Sequence, residues 1–193
     1  MFDTIDYYNT NAEAFVTSTL HADMSEARNR FLAYVKDGGR ILDAGCGSGR
    51  DSLAFLQEGY KVSAFDASDE LCRRATELLG FSVECKRFED LAGEPTYDGI
   101  WACASLLHVP ADVLPDVILR LKGLLLEGGI LYASFKEVNT ERIKDGRFFH
   151  DMTESTCSAL FEAAGFSVLE LCKSIDVREG RSTEVWVNII CQK

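Results

Sequence analysis

The chain has 193 residues, 47% of them hydrophobic, enough to fill a sizeable core. Its 31 acidic against 20 basic side chains give a formal charge of -11 that is spread over both halves, a surface that repels polyanions and excludes nucleic acid as an expected partner. The seven cysteines and three histidines show no metal-ligand spacing, the N-terminus has no basic, apolar leader, and no apolar run approaches the ~20 residues of a membrane span. Reduced thiols, no metal and a cytoplasmic location away from the membrane are expected.

In chain order, the first 38 residues precede any strand and read as one or two helices, the second with an apolar stripe of Phe31, Leu32 and Val35. They are expected to cap the open edge of a sheet. From Arg40 short apolar runs alternate with segments of helical period, the signature of a parallel sheet flanked by helices. Strands are expected at 40–43, 61–65, 82–86, 99–104 and 130–135, with helices at about 49–58, 68–79, 111–126 and 153–164. Ser68 suits a helix N-cap, and Gly59, Gly80, Gly128 and Gly165 suit helix ends. After 166–172 a polar turn at 178–181 leads to 184–191, two runs placed to pair antiparallel. Nothing divides the chain, so one domain over 1–193 is expected, with 1–38 as cap and 39–193 as a Rossmann-like core.

Gly45, Gly47 and Gly49 follow the first strand, where parallel sheets bind ligands outside the carboxyl ends of their strands. Without side chains such a loop admits a ligand closely, and the helix that follows directs free N–H groups at it. Asp66 ends the second strand, 23 residues after Asp43, where a carboxylate can accept hydrogen bonds from both ribose hydroxyls. A nucleoside-containing cofactor is therefore expected. A dinucleotide fingerprint would need glycine where Arg50 stands, so an NAD(P)-dependent oxidoreductase is the lesser alternative.

The run Ile41-Leu42-Asp43-Ala44-Gly45-Cys46-Gly47-Ser48-Gly49-Arg50-Asp51-Ser52 resembles motif I of the class I S-adenosylmethionine-dependent methyltransferases, and within them the small bacterial enzymes associated with tellurite resistance. That resemblance implies an α/β, three-layer fold: a seven-stranded, mostly parallel sheet in the order 3-2-1-4-5-7-6, strand 7 antiparallel, with helices on both faces. It implies S-adenosylmethionine as cofactor, S-adenosylhomocysteine as product, and in-line transfer of methyl to a small soluble acceptor by a monomer or homodimer. The cofactor wall it implies comprises Tyr8, Asp43, Gly45, Cys46, Gly47, Gly49, Arg50, Asp66, Ala67, Phe88, Glu89, Ala104 and Ser105. Arg87 stands where the family often has an adenine-binding aspartate, leaving Phe88 to cover the purine and Glu89 to replace the carboxylate.

No acceptor-activating group is evident. His108, just past the fourth strand, has the proton affinity of a base, but a turn histidine bonded to backbone is the competing reading. The charged segment 136–151 reads as a mobile lid in which Lys136 and Arg147 attract an anionic acceptor and Phe148 and Phe149 exclude water, with a solvated loop whose two aromatics anchor in the core as the favoured competing reading. A non-catalytic, cofactor-binding regulatory protein is the second alternative.

Overall fold

The computed structural model describes residues 4–138, 140–178 and 180–193. Asn139 and Glu179, within the two expected loops, and the first three residues of the expected cap lie outside them.

At the centre is β1 (Arg40–Ala44), buried from its second residue onward because Ile41 and Leu42 meet apolar layers on opposite sides. It pairs in parallel with β2 (Lys61–Asp66) on one side and β4 (Tyr97–Ala102) on the other. The two-residue β3 (Glu84–Cys85) forms one edge beyond β2; β5 (Leu125–Lys136), β9 (Val185–Gln192) and β8 (Ser167–Ile175) extend the other side. The order is β3-β2-β1-β4-β5-β9-β8, with β9 antiparallel to both neighbours. This is the expected seven-strand order closing in the expected terminal hairpin.

Successive strand residues feed two cores. Ile41, Trp101, Ile130, Tyr132 and Ile190 meet Phe31 and Phe55 on one face, with the Trp101 and Tyr132 rings stacked 3.9 Å apart at 11°. Leu42, Ile100, Leu131 and Ile189 meet Leu114, Leu121 and Phe161 on the other. The first face is covered by α2 (Ser25–Leu32) and α3 (Arg50–Gln57), the second by α5 (Leu114–Leu124) and α6 (Glu154–Ala163). α4 (Asp69–Leu79) starts where the Ser68 hydroxyl accepts from the Leu71 N–H and ends at Gly80, and α1 (Thr4–Thr19) lies against it.

Both boundaries of α5 differ from expectation for local reasons. α5 begins at Leu114 rather than Ala111 because the chain first turns on the Pro110 carbonyl, which accepts from Val113 and Leu114, and Pro115 then occupies the first helical turn. It stops at Leu124 because Leu125 is already extended (φ -77, ψ 141) and pairs with Tyr97 as the start of β5.

The larger correction concerns 136–151. Instead of an irregular lid it forms a second, two-stranded sheet, β6 (Glu141–Lys144) against β7 (Arg147–His150). Its two-residue turn, Asp145 (φ 52) and Gly146 (φ 78), has the left-handed backbone of a type I′ hairpin. Phe149 is anchored in the main core. Among the described residues no helix is long and apolar enough to cross a membrane, and no three metal-capable side chains come together.

Candidate functional site

A cavity of about 750 Å3 opens at the carboxyl ends of β1, β2, β4 and β5, roofed by α1, α2 and the β6–β7 hairpin. That is within the roughly 300–1,000 Å3 of small-molecule sites.

The floor is the loop from Gly45 to Ser48; the expected Gly49 lies outside the cavity, packed so closely on α4 that a Cβ there would meet Ala75 at 3.3 Å. The Gly45 and Cys46 N–H groups both donate to the Phe65 carbonyl, folding the loop back against β2. Gly45 (φ 80) and Gly47 (φ 55) have left-handed backbones, and space also forbids side chains there: a Cβ on Gly45 would stand 2.5 Å from the Ser105 Cβ, and one on Gly47 3.0 Å from the Phe15 ring. Ser105 occupies that place because its hydroxyl donates to the Ala44 carbonyl at 2.7 Å, bridging the ends of β1 and β4. Ala104 beside it holds φ 53, rare for a residue with a Cβ, and its N–H donates to the Ser134 hydroxyl at 2.8 Å.

Asp66 faces the cavity from the end of β2. One carboxylate oxygen accepts the Gly47 N–H at 2.8 Å and the other the Ser68 N–H at 2.9 Å. Burial raises its pKa, while these N–H groups and that of Ala67 oppose the shift. Asp43, at the end of β1, receives the Ser52 hydroxyl at 2.6 Å. Burial, reinforced by the nearby Asp51 charge, pushes its carboxyl up to about 7. Cys46 and Phe88 line the same end, Phe88 edge-on to Phe65 at 5.2 Å. Glu89 is exposed at the rim.

Arg50 also lines the cavity, but its guanidinium forks onto Asp51 at 3.0 and 2.6 Å and donates to the Thr19 carbonyl at 3.3 Å, tying down the end of α1. Asp51, not singled out from the sequence, is a buried hub that also accepts from Arg28 at 2.8 Å and the Trp101 indole at 3.0 Å. Burial raises its pKa, but the charges and hydrogen bonds of Arg50 and Arg28 together outweigh this and hold the carboxyl below its usual range.

The opposite end joins segments far apart in the chain. The Tyr8 hydroxyl lies 2.9 Å from His108 Nε2, and His108 Nδ1 lies 2.6 Å from the Phe148 carbonyl. A carbonyl only accepts, so Nδ1 carries the proton and Nε2 accepts from Tyr8. Burial lowers the His108 pKa to about 4. The ring is neutral near pH 7 with both nitrogens committed, leaving no free lone pair for an incoming proton. The Phe148 N–H donates to the Thr4 hydroxyl at 3.0 Å, so α1, the segment after β4 and the hairpin are laced together. Next to Tyr8 on α1, the Asn9 side chain accepts from the Ser68 hydroxyl at 2.5 Å.

Of the expected acceptor cations, Lys136 is buried and pairs with Asp176 at 3.0 Å and with Glu184, its ammonium over the Trp186 ring. It is already neutralised. Arg147 lines the cavity with its guanidinium over the Tyr7 and Phe149 rings.

Gly45, Gly47, Asp43 and Asp66 fit a cofactor with a vicinal diol and positive charge: two carboxylates and room that a Cβ would fill. The comparisons agree. Residues 16–171 match the family model described as "Methyltransferase domain". An uncharacterized methyltransferase of Staphylococcus carnosus is 25% identical over 152 residues, 71% of this chain and 73% of that protein. A ubiquinone biosynthesis O-methyltransferase of Methylocella silvestris is 36% identical over 114 residues, 55% of this chain but only 43% of its own length. Among solved structures, the 1,6-didemethyltoxoflavin-N1-methyltransferase of Burkholderia thailandensis, bound to 1,6-didemethyltoxoflavin and S-adenosylhomocysteine, superposes with a TM-score of 0.77 at 23% identity, over 100% of this chain and 91% of that one.

Proposed function

Because the chain belongs to the class I S-adenosylmethionine-dependent methyltransferases, we propose that it methylates a small soluble acceptor enclosed between the glycine loop and the hairpin. The observation that carries this reading is the Asp66 carboxylate, held by the Gly47 and Ser68 N–H groups at the wall of one enclosed cavity. Each of its oxygens retains a lone pair for a ribose hydroxyl. The Gly45–Ser48 backbone and Asp43 would hold the methionine portion, Cys46 and Ala67 would flank it, and Phe88 with Glu89 would border the adenine.

The cofactor, when bound, supplies a methyl group already activated by its sulfonium. The protein's own contribution is to orient and to exclude water. Ala104, in its constrained backbone, and Ser105 form the wall between the cofactor end and the rest of the cavity. The Tyr8–His108–Phe148 chain holds α1 down as a roof, which makes His108 a positioning residue rather than a base. An acceptor arriving as an anion needs no base; one bearing a hydroxyl must lose its proton to water or to a group it brings.

The test is calorimetric titration with S-adenosylmethionine, followed by transfer of isotope-labelled methyl to a panel of thiols, phenols, small acids, selenite and tellurite. Binding together with turnover of at least one acceptor is expected. A protein that binds no cofactor overturns the reading.

A further inference from the structure

Among the described residues, four buried side-chain polar atoms lack a hydrogen-bond partner: Nε of Arg28, Nε of Arg147, Nδ1 of His150 and Oδ1 of Asp151. Only Arg147 among these residues lines the cavity. Buried donors without acceptors are rare, and one on a charged group facing a cavity indicates an acceptor that arrives with a ligand.

The charge pattern points the same way. Arg30, Arg50, Lys136 and Arg178 line the cavity too, and each has a carboxylate oxygen within 3.0 Å. Arg147 has only Asp145, at 3.7 Å, on the exposed hairpin turn. Aromatic contact takes up the planar surface of its guanidinium, with Tyr7 at 4.5 Å and Phe149 at 5.2 Å. What it offers a ligand is its edge, where Nε–H and an Nη–H lie parallel and coplanar. Next to it is the Tyr8 hydroxyl, whose pKa burial raises and the Arg147 charge and side-chain hydrogen bond pull back down, leaving Nε as the unpartnered Arg147 donor.

We propose that the methyl acceptor carries a carboxylate that docks along this edge of Arg147, a refinement that rests on the function proposed above. Two coplanar oxygens match two parallel donors. The Asp145 carboxylate, 3.7 Å from the guanidinium, disfavours a second negative charge there, which favours a carboxylate over a phosphate. The lining by Tyr8, Phe148 and Phe149 suits an acceptor with a flat apolar body behind its carboxylate.

The protein is first saturated with S-adenosylhomocysteine and then titrated with benzoate, phenylacetate and 3-phenylpropionate, each paired with its carboxamide, and with phenyl phosphate. At least one carboxylate is expected to bind ten-fold or more tightly than its amide. Arg147→Gln should abolish that preference while keeping S-adenosylhomocysteine affinity. Arg147→Lys, which keeps charge and length but loses the planar fork, should lose most of it. Amides that bind as well as every acid, a preference that survives Arg147→Gln, or tighter binding of phenyl phosphate would overturn the proposal. Failure to bind S-adenosylhomocysteine would instead sink the underlying function, and this refinement with it.

Discussion

At the β1–β2 end of the cavity most ligand-facing groups come from one stretch of chain, Asp43 to Ser68, joined by Phe88 and Glu89, and the Gly45 and Gly47 positions are kept clear of side chains while backbone N–H groups fix the Asp66 carboxylate. At the hairpin end they are side chains drawn from α1, the segment after β4, and β7; Tyr8 and His108 are 100 residues apart, His108 and Phe148 another 40. A backbone site tolerates few changes without losing its shape, while a side-chain site can be re-cut one residue at a time. The first suits a cofactor common to a family and the second an acceptor that differs among members. The two ends also titrate in opposite senses, so they can be perturbed separately.

The largest expected effect is at Asp43. Its folded-state pKa of about 7 lies above the ~3.9 of an unfolded aspartate. The folded state therefore holds a proton that the unfolded state has lost, and the stability this contributes, up to about 4 kcal/mol, disappears as pH rises from ~4 through 7. Denaturant unfolding of the cofactor-free protein across that range should show a decline that Asp43→Asn flattens. Equal slopes in the two proteins would remove this half of the contrast.

His108 should show the reverse. Its pKa is depressed to about 4 against ~6.5 unfolded, so its share of stability, up to about 3 kcal/mol, is present above pH 6.5 and lost as pH falls to 4. His108→Gln should blunt that acid limb without altering the slope due to Asp43. Next in size, Asp66→Ala should weaken S-adenosylmethionine about 100-fold, or ~2.7 kcal/mol, through lost charge-assisted hydrogen bonds. Calorimetry that finds no change would break the assignment of the ribose end. Smallest is Tyr8→Phe, which removes one hydrogen bond of the roof and should reduce stability by about 1 kcal/mol while leaving cofactor affinity within two-fold. A larger loss of affinity would mean that Tyr8 touches the cofactor, erasing the division between the two ends.

The cofactor end was legible in the sequence because its information is local. A strand, three glycines at alternate positions and an acid one strand later specify a loop and a carboxylate almost regardless of the rest. Glu89 was a weaker inference, because its placement depends on how a short 3-10 turn at Phe88–Asp90 meets solvent. The hairpin was legible in part: Asp145-Gly146 is a strong two-residue turn signal, overlooked among charged neighbours that resembled a solvated loop. Lys136 carried no local mark of its fate, because Asp176 and Glu184, which neutralise it, arrive 40 and 48 residues later.

Composition and period thus determined the alternating architecture, the glycine motif and Asp66 marked the cofactor end, and the strand order was what the family resemblance implied. Tertiary structure alone decided which charges remain available. Asp51 became a hub for Arg28, Arg50 and Trp101, His108 was locked neutral between Tyr8 and Phe148, and the Arg147 edge stayed open. The physical reason is range: helix, strand and turn preferences act over a few residues, whereas burial and pairing of charge depend on partners that only folding brings within 3 Å.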